Sequence, residues 1–547
     1  MVVPVRSFSG ALGLLFLSAV VCFSCPVQAE PDERLRMRLE SWMAESDDVV
    51  SDDIILSQQV LVTLYERIGY QRLWTENQNK LNATGSELLD RLEHSHFLGL
   101  TPEDYHVALI HRKLNDLSAD PTGQGVDLEL LLTDGYLLYL SHNDHGKVNP
   151  RTIDPDWNTT KPLSDMVTRV VDAVDNERLL DLMDSVEPTH PGYVALKAQL
   201  KRLLEQGVHS EMMLNVSLKP GVNHEQVPHL VLILQSLGYL NSSVSYSKLF
   251  DQDIRSAVMR FQRDQNLEAD GVVGPQTREA LQQAYAGDID TIRVNMERWR
   301  WEPDTYSKEY IAVNIASFQL AYWRPQKTPL IMRVIVGKNY RKTPVFTDRM
   351  RYLVLHPSWN VPHKIASEDL LPKIKADRDY LSKNNMLLFR GWGSDQMLVD
   401  PAEINWGELT SKKFPFHIRQ MPGPKNALGV VKFMFPNEHN VYLHDTNDRS
   451  LFERPNRAFS SGCIRLEKPL DLLFAVTEGN SPFSRQQIES LIDVNTETTV
   501  SLSRPIPVHI QYWTAWVDDN NRLHYRSDVY QRDHAVLAAL NDRFQAE

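Results

Sequence analysis

Asn440-Val441-Tyr442-Leu443-His444-Asp445 and Ser460-Ser461-Gly462-Cys463-Ile464-Arg465-Leu466 are the stretches on which the reading of this chain turns. The first alternates like a short strand and ends in a histidine. The second passes through a small flexible turn into another short apolar run. The histidine stands 19 residues before the cysteine. If the two runs are adjacent strands, their ends bring His444 and Cys463 together. A thiol becomes a nucleophile when a base or a positive field promotes the thiolate, and a histidine can take the proton and return it to a leaving amine. Gly462 has no Cβ and lets a substrate carbonyl approach the backbone. The amides of 462 and 463 are then a candidate oxyanion hole. Arg465, two residues beyond Cys463, shares its face in an extended segment. It can lower the thiol pKa or grip a substrate carboxylate with two parallel hydrogen bonds. Taken alone, a buried inert thiol and a structural histidine remain the competing reading.

The front of the chain strengthens the case for Cys463. Arg6 is the only charge before Glu30, Ala11 to Cys25 is almost wholly apolar, and Val27-Gln28-Ala29 offers a cleavage site. Residues 1–29 read as a secretory signal, with a membrane anchor as the outcome if the signal is not cleaved. Cys22 and Cys25 lie in poor contexts for lipidation and leave with the signal. Cys463 then has no partner for a disulfide within the chain. A large exported protein without disulfides is expected to rely on its hydrophobic cores.

At 547 residues, with 42% hydrophobic and 24% charged residues, the chain has an ordinary globular composition and room for three or four domains. A formal charge of −13 with no basic stripe argues against a nucleic-acid partner. Residues 30–220 carry apolar residues at helical spacing: Ile55, Leu56, Val60, Leu61, Leu64 and Tyr65, then Leu88, Leu89 and Leu92, then the run from Leu128 to Leu140. His142 and His145 read as solvated turn residues. Residues 225–286 form a compact three-helix unit, with Asp251 a plausible N-cap. From 290 to 510 β-branched and aromatic residues alternate, as in Tyr310–Ile315 and Met350–Leu355, and a β-rich domain is expected. Its stretch of about 362–423 turns helical and loopy and reads as an inserted cap. Within or beside it, Trp392, Trp406, Asn360 and His363 are candidate substrate contacts, with ordinary packing the stronger alternative for the two tryptophans. Residues 511–547 read as a hairpin added to the same sheet and a helix from Ala535, packed on the scaffold or the catalytic domain. The architecture is a multidomain α+β chain. No His/Asp cluster with metal-ligand spacing occurs in the C-terminal region, and no cofactor is implied.

Two resemblances add to these readings. Ala257-Val258-Met259-Arg260-Phe261-Gln262 with Asp270-Gly271-Val272-Val273-Gly274-Pro275-Gln276-Thr277 resembles the small three-helix peptidoglycan-binding domain. Tyr442 to Thr446 with Arg457 to Arg465 looks like the signature of the L,D-transpeptidases of the YkuD fold. Val336-Gly337-Lys338, Thr343-Pro344, Gly423 to Gly429 and Lys432-Phe433 precede it in the expected order. The YcbB-type branch, with a helical scaffold, a peptidoglycan-binding domain and a capped catalytic domain, resembles nearly all of the mature chain. The resemblance implies that Cys463 attacks a diaminopimelate carbonyl in a peptidoglycan stem, with His444 as base. It implies that Tyr442 and the backbone near Ser461, Gly462 and Cys463 help the oxyanion, and that Arg465 is the motif's arginine. It further implies 3–3 cross-linking in the periplasm, acylation by carbapenems, peptidoglycan stems and glycan strands as partners beside cell-wall synthases, and a monomer. Two positions depart from the broader family. Ser461 stands where histidine is usual and Asp445 where glycine is common, so the group that orients His444 stays open. An L,D-carboxypeptidase and a non-catalytic wall-binding scaffold are the alternatives.

Overall fold

The computed structural model describes residues 31–44, 57–76, 80–119, 125–159, 161, 164–206, 213–241, 247–303, 306–391 and 393–542. The expected export signal over 1–29, Ile55, Leu56 and Trp392 fall outside the described residues.

The scaffold is helical, as its periodicity predicts. Its centre is the helix Gly125–His145, buried on nearly every side. Consecutive leucines at 130, 131 and 132 leave it no polar face, so it serves as the axis of the domain rather than its surface. Glu129 is buried within it and accepts from the amides of Leu73 (2.5 Å) and Thr75 (2.9 Å) and from the Thr75 hydroxyl (2.7 Å). These bonds pin an irregular segment to the axis. Val60 is exposed, off the buried face that Leu61, Leu64 and Tyr65 form. His142 is buried rather than solvated, with its Nδ1 3.1 Å from the Tyr105 hydroxyl.

The three-helix unit comprises Val227–Ser236, Gln252–Asp264 and Pro275–Ala286. The Asp251 carboxylate accepts from the amides of Asp253 and Ile254, capping the second helix as expected. Leu214 and Leu218 belong to its core, and Leu218 bridges to Val273. The unit therefore takes in residues from 214 on, inside the span 30–220 assigned to the scaffold.

The β-rich domain does not begin at 290. Ile289–Trp301 is a buried helix that welds the chain together. Glu297 accepts from the Val148 amide at 2.7 Å and from Arg300 at 3.0 Å. Arg300 also donates to the Leu98 carbonyl at 2.6 Å, and Arg298 pairs with Asp533 at 2.7 Å. Every charge in this helix that leaves water finds a partner, as buried charges require.

The catalytic-type domain then runs β1 (Tyr310–Asn314), β2 (Gln319–Arg324), β3 (Lys327–Gly337), β4 (Phe346–Leu355), β5 (Trp359–Asn360), β6 (Met386–Arg390), β7 (Met397–Val399), β8 (Phe416–Gln420), β9 (Val431–Met434), β10 (Leu443–His444), β11 (Ala458–Ser460), β12 (Ile464–Leu466) and β13 (Thr498–Gln511). The main sheet has the order β11-β3-β12-β10-β9-β4-β13-β1-β2, and β2 pairs back with β3. The β2–β3 pairing closes the sheet on itself and leaves the short β11 at an edge. Its core holds Leu353, Phe433, Leu443 and Ile464. The insertion contains short helices, such as Leu371–Ala376, and also a separate four-stranded sheet, β5-β8-β6-β7. The last part differs from the expected hairpin. Thr498–Gln511 is a long strand of the main sheet. The hairpin is β14 (Ala515–Val517) with β15 (Leu523–Tyr525), in a sheet of its own. Trp513, Ala515 and Tyr525 pack against the scaffold helix Pro191–Gln206 and the welding helix.

Candidate active site

β10 and β12 are parallel neighbours, with Leu443 opposite Ile464 and His444 opposite Arg465. Leu443 and Ile464 point into the core. By the two-residue period of a strand, Tyr442, His444, Cys463 and Arg465 all lie on the other face. β9 continues this face: Lys432 is opposite His444, and its ammonium lies 4.2 Å from the centre of the Tyr442 ring. His444 and Cys463 thus share one face of two adjacent strands.

The group that orients His444 is the backbone carbonyl of the next residue. His444 Nδ1 lies 2.5 Å from the Asp445 carbonyl oxygen. Only a protonated Nδ1 can donate there, which leaves Nε2 as the basic nitrogen. Asp445 is itself fixed. Its carboxylate accepts from the amides of Val430 (2.8 Å) and Thr446 (2.7 Å) and from Arg449 (2.6 Å). The aspartate in place of a glycine is therefore part of the mounting of the histidine. Burial, with the positive charges of Arg465 and Lys432, holds the His444 pKa down to about 3. The ring is neutral, as a base must be before it takes a proton.

Burial pushes the Cys463 thiol up, against the opposing pull of the Tyr442 amide and hydroxyl and the charges of Lys432 and Arg465. The sulfur is partly exposed and lies 3.7 Å from the Asn440 carbonyl oxygen. With the thiol pushed up and the imidazole pushed down, both groups hold their neutral forms, and no hydrogen bond joins them among the described residues. Burial and the neighbouring sulfur raise the Tyr442 pKa, so its hydroxyl keeps its proton and can donate.

The turn before the cysteine is built to hold a shape. Gly462 has φ +118°, a conformation open to glycine and strained for other residues. Its amide donates to Ser460 Oγ at 3.1 Å, and Ser460 Oγ donates to the Cys463 carbonyl at 2.5 Å. The Gly462 amide is therefore occupied. Of the two amides expected at the oxyanion, that of Cys463 is the one left. Ser461 is exposed, and its hydroxyl accepts from Arg341 at 3.1 Å. Arg341 also pairs with Glu368 (2.7 Å) and Asp369 in the insertion, so Ser461 sits at the joint between cap and catalytic turn. The guanidinium of Arg465 makes no hydrogen bond among the described residues. Its pKa is lowered by burial, against the favourable charges of Asp448 and Cys463.

Four groups escaped the sequence reading as parts of the site. Lys432 alternates with buried Val431 and Phe433, and that parity alone would have placed it on the face of His444. Thr343 receives the Gly337 amide at 2.9 Å and donates to the Gly462 carbonyl at 2.8 Å, tying the end of β3 to the cysteine turn. Asp445 stood out only as a departure from the family pattern, and Arg341 acts through partners 27 to 120 residues away and leaves no local signal. Three residues of the insertion are committed elsewhere. Trp406 is core, with its indole donating to the Pro401 carbonyl at 2.9 Å. Asn360 accepts from Arg419 at 2.8 Å, and His363 Nε2 lies 3.0 Å from the Phe414 carbonyl.

Comparison with known families agrees with the partition of the fold. Residues 308–488 match the L,D-transpeptidase catalytic domain model, of the YkuD family. The chain carries a YkuD-family L,D-transpeptidase catalytic domain. Residues 59–200 match a scaffold domain and 223–281 a domain described as "Putative peptidoglycan binding domain". A Haemophilus influenzae protein bearing the name "Putative L,D-transpeptidase" is 38% identical over 251 residues, which are 46% of this chain and 50% of that protein. The chain thus spans about half the length of this curated relative. Among solved structures, an L,D-transpeptidase from Stackebrandtia nassauensis matches at 11% identity over 54% of this chain and 94% of its own, with a TM-score of 0.21. One from Mycobacterium smegmatis matches at 12% identity over 37% and 58%, with a TM-score of 0.19. Likeness at that level carries no weight for the fold or the chemistry.

Proposed function

We propose that this chain is a cysteine-dependent L,D-transpeptidase that forms 3–3 cross-links between peptidoglycan stems. The observation that carries the proposal is the shared face of Tyr442, His444, Cys463 and Arg465, with His444 neutral and its Nε2 uncommitted. In the first half-reaction the Cys463 sulfur attacks the carbonyl of the third stem residue, a diaminopimelate. His444 Nε2 takes the thiol proton and passes it to the departing D-Ala nitrogen as the C–N bond breaks. The Cys463 amide and the Tyr442 hydroxyl stabilise the oxyanion, and Arg465 holds a substrate carboxylate. In the second half-reaction the side-chain amine of another diaminopimelate attacks the thioester, His444 takes its proton, and the thiol is regenerated. One amide replaces another, so the step needs no cofactor as an energy source. The reading places the protein in the periplasm after loss of the segment 1–29, acting as a monomer on stems and glycan strands alongside cell-wall synthases. Carbapenems would acylate the same sulfur.

Incubation with disaccharide-tetrapeptides, followed by separation of products, tests the reaction. Cross-linked dimers and free D-Ala are expected. Tripeptides alone, even with excess acceptor, would mean that water resolves the thioester and the enzyme is an L,D-carboxypeptidase.

A further inference from the structure

A cavity of about 690 Å³ opens away from the residues around Cys463, where three parts of the chain meet. The small three-helix domain supplies the end of its second helix. The scaffold supplies Arg202, and the β14–β15 hairpin supplies its turn around Arg522. The size is that of a ligand site. Arg202, Arg260, Arg263 and Arg522 all line it. The Asp264 carboxylate accepts from the Tyr239 hydroxyl at 2.9 Å, and His524 Nε2 lies 2.8 Å from Asp518. Arg260 is used on the Tyr239 carbonyl at 2.5 Å and Arg202 on Gln199 at 3.0 Å. The guanidinium groups of Arg263 and Arg522 have no hydrogen bond or ion pair among the described residues. The chain as a whole carries −13, so four arginines around one cavity run against its overall charge and favour an anionic ligand.

The site is also held in place. Gln265, on the cavity wall, accepts from Arg526 at 3.1 Å. The next residue, Asn266, donates to the Ser317 carbonyl at 3.1 Å and accepts from Arg457 at 3.2 Å. Arg457 leads directly into β11 and the cysteine turn. The cavity is thus at a fixed position relative to Cys463.

We propose that this cavity is a second, non-catalytic site that binds the carboxylates of a peptidoglycan stem peptide, with Arg263 and Arg522 as the two grips. A planar guanidinium suits a carboxylate, which it can hold through two parallel hydrogen bonds. The identity of the ligand rests on the function proposed above; the existence of the anion site does not. Its role is to anchor one strand of the wall while another is processed at Cys463.

The test is calorimetric titration of the full chain carrying Cys463→Ala with a purified disaccharide-tetrapeptide. At least two ligands per chain are expected, one of them at the cavity. Adding Arg263→Ala and Arg522→Ala should abolish one of them, with affinity there falling at least about tenfold, the loss expected for charge-assisted hydrogen bonds. Both arginines are exposed, so the fold is retained, and Arg522→Lys, which keeps the charge but not the two parallel hydrogen bonds, should keep only part of the binding. Identical stoichiometry and affinity with and without the two arginines would overturn the proposal. So would inorganic phosphate filling the site in preference to the stem. D-Ala release by the double variant with Cys463 intact should match the unsubstituted protein. If neither protein cross-links stems, the proposed reaction fails, while the titration still decides the cavity.

Discussion

The pH dependence of the donor half-reaction follows from the state of His444. An ordinary imidazole titrates near 6.5; burial and two nearby cations bring this one down to about 3. The sign is clear: the neutral form, which accepts the proton, persists into acid. A base with a pKa of about 6.5 would be only about 3% neutral at pH 5, and kcat/KM would fall roughly 30-fold from its plateau. With the depressed pKa, about 99% remains neutral at pH 5 and the profile stays flat. The assay is D-Ala release from disaccharide-tetrapeptide between pH 4 and 8, read as kcat/KM for the donor, so that titration of the acceptor amine does not enter. Arg465→Gln removes one of the causes of the depression and should move the acid limb to higher pH. An acid limb centred near 6.5 in the unsubstituted protein would refute the reasoning. It would point instead to a thiolate–imidazolium pair, in which the two groups titrate together.

Other outcomes follow from the mounting of the site and of the scaffold. At Gly429, φ is +59° and a Cβ would lie 2.2 Å from Asp445 Oδ2. Gly429→Ala must therefore displace the residue that holds His444, and kcat should fall by tens of fold, on the order of the 10²-fold cost of a misplaced catalytic group, with a smaller change in KM. Arg341→Ala cuts the link between Ser461 and the insertion. Hydrogen exchange should rise over Ile365–Ala376, while thiol alkylation of Cys463 proceeds. Glu129→Ala strands the amides of Leu73 and Thr75 in the scaffold core, and the scaffold transition should lose about 3–5 kcal/mol in a denaturant titration.

What the sequence revealed, it revealed through local pattern. Two-residue alternation located most of the barrel strands, the Asp251 cap marked a helix start, and Cys463 with His444 stood out by residue type and spacing. The closure of the sheet could not be read this way, because β3 pairs with β2, β11 and β12, and such pairing is set by packing at long range. The four-stranded sheet of the insertion was missed for a related reason. β5 and β7 are two and three residues long, too short to show a period. Ile289–Trp301 carries Arg298 and Arg300 among tryptophans and resembles a surface segment. Its burial depends on Glu297 one turn away in the same helix, and on Asp533 and the Leu98 carbonyl, which come from two distant parts of the chain. The Gly462 amide looked available for an oxyanion until Ser460 claimed it. A serine two residues away was visible, but the direction of its hydroxyl was not.

The central claim is that Cys463 is the acylated nucleophile and His444 its base. Intact-mass measurement after exposure to a carbapenem tests it most directly. The account predicts one stable adduct on the unsubstituted chain, much slower formation with His444→Ala, and none with Cys463→Ala. An adduct of equal size on Cys463→Ala, or no adduct on the unsubstituted chain, would contradict it.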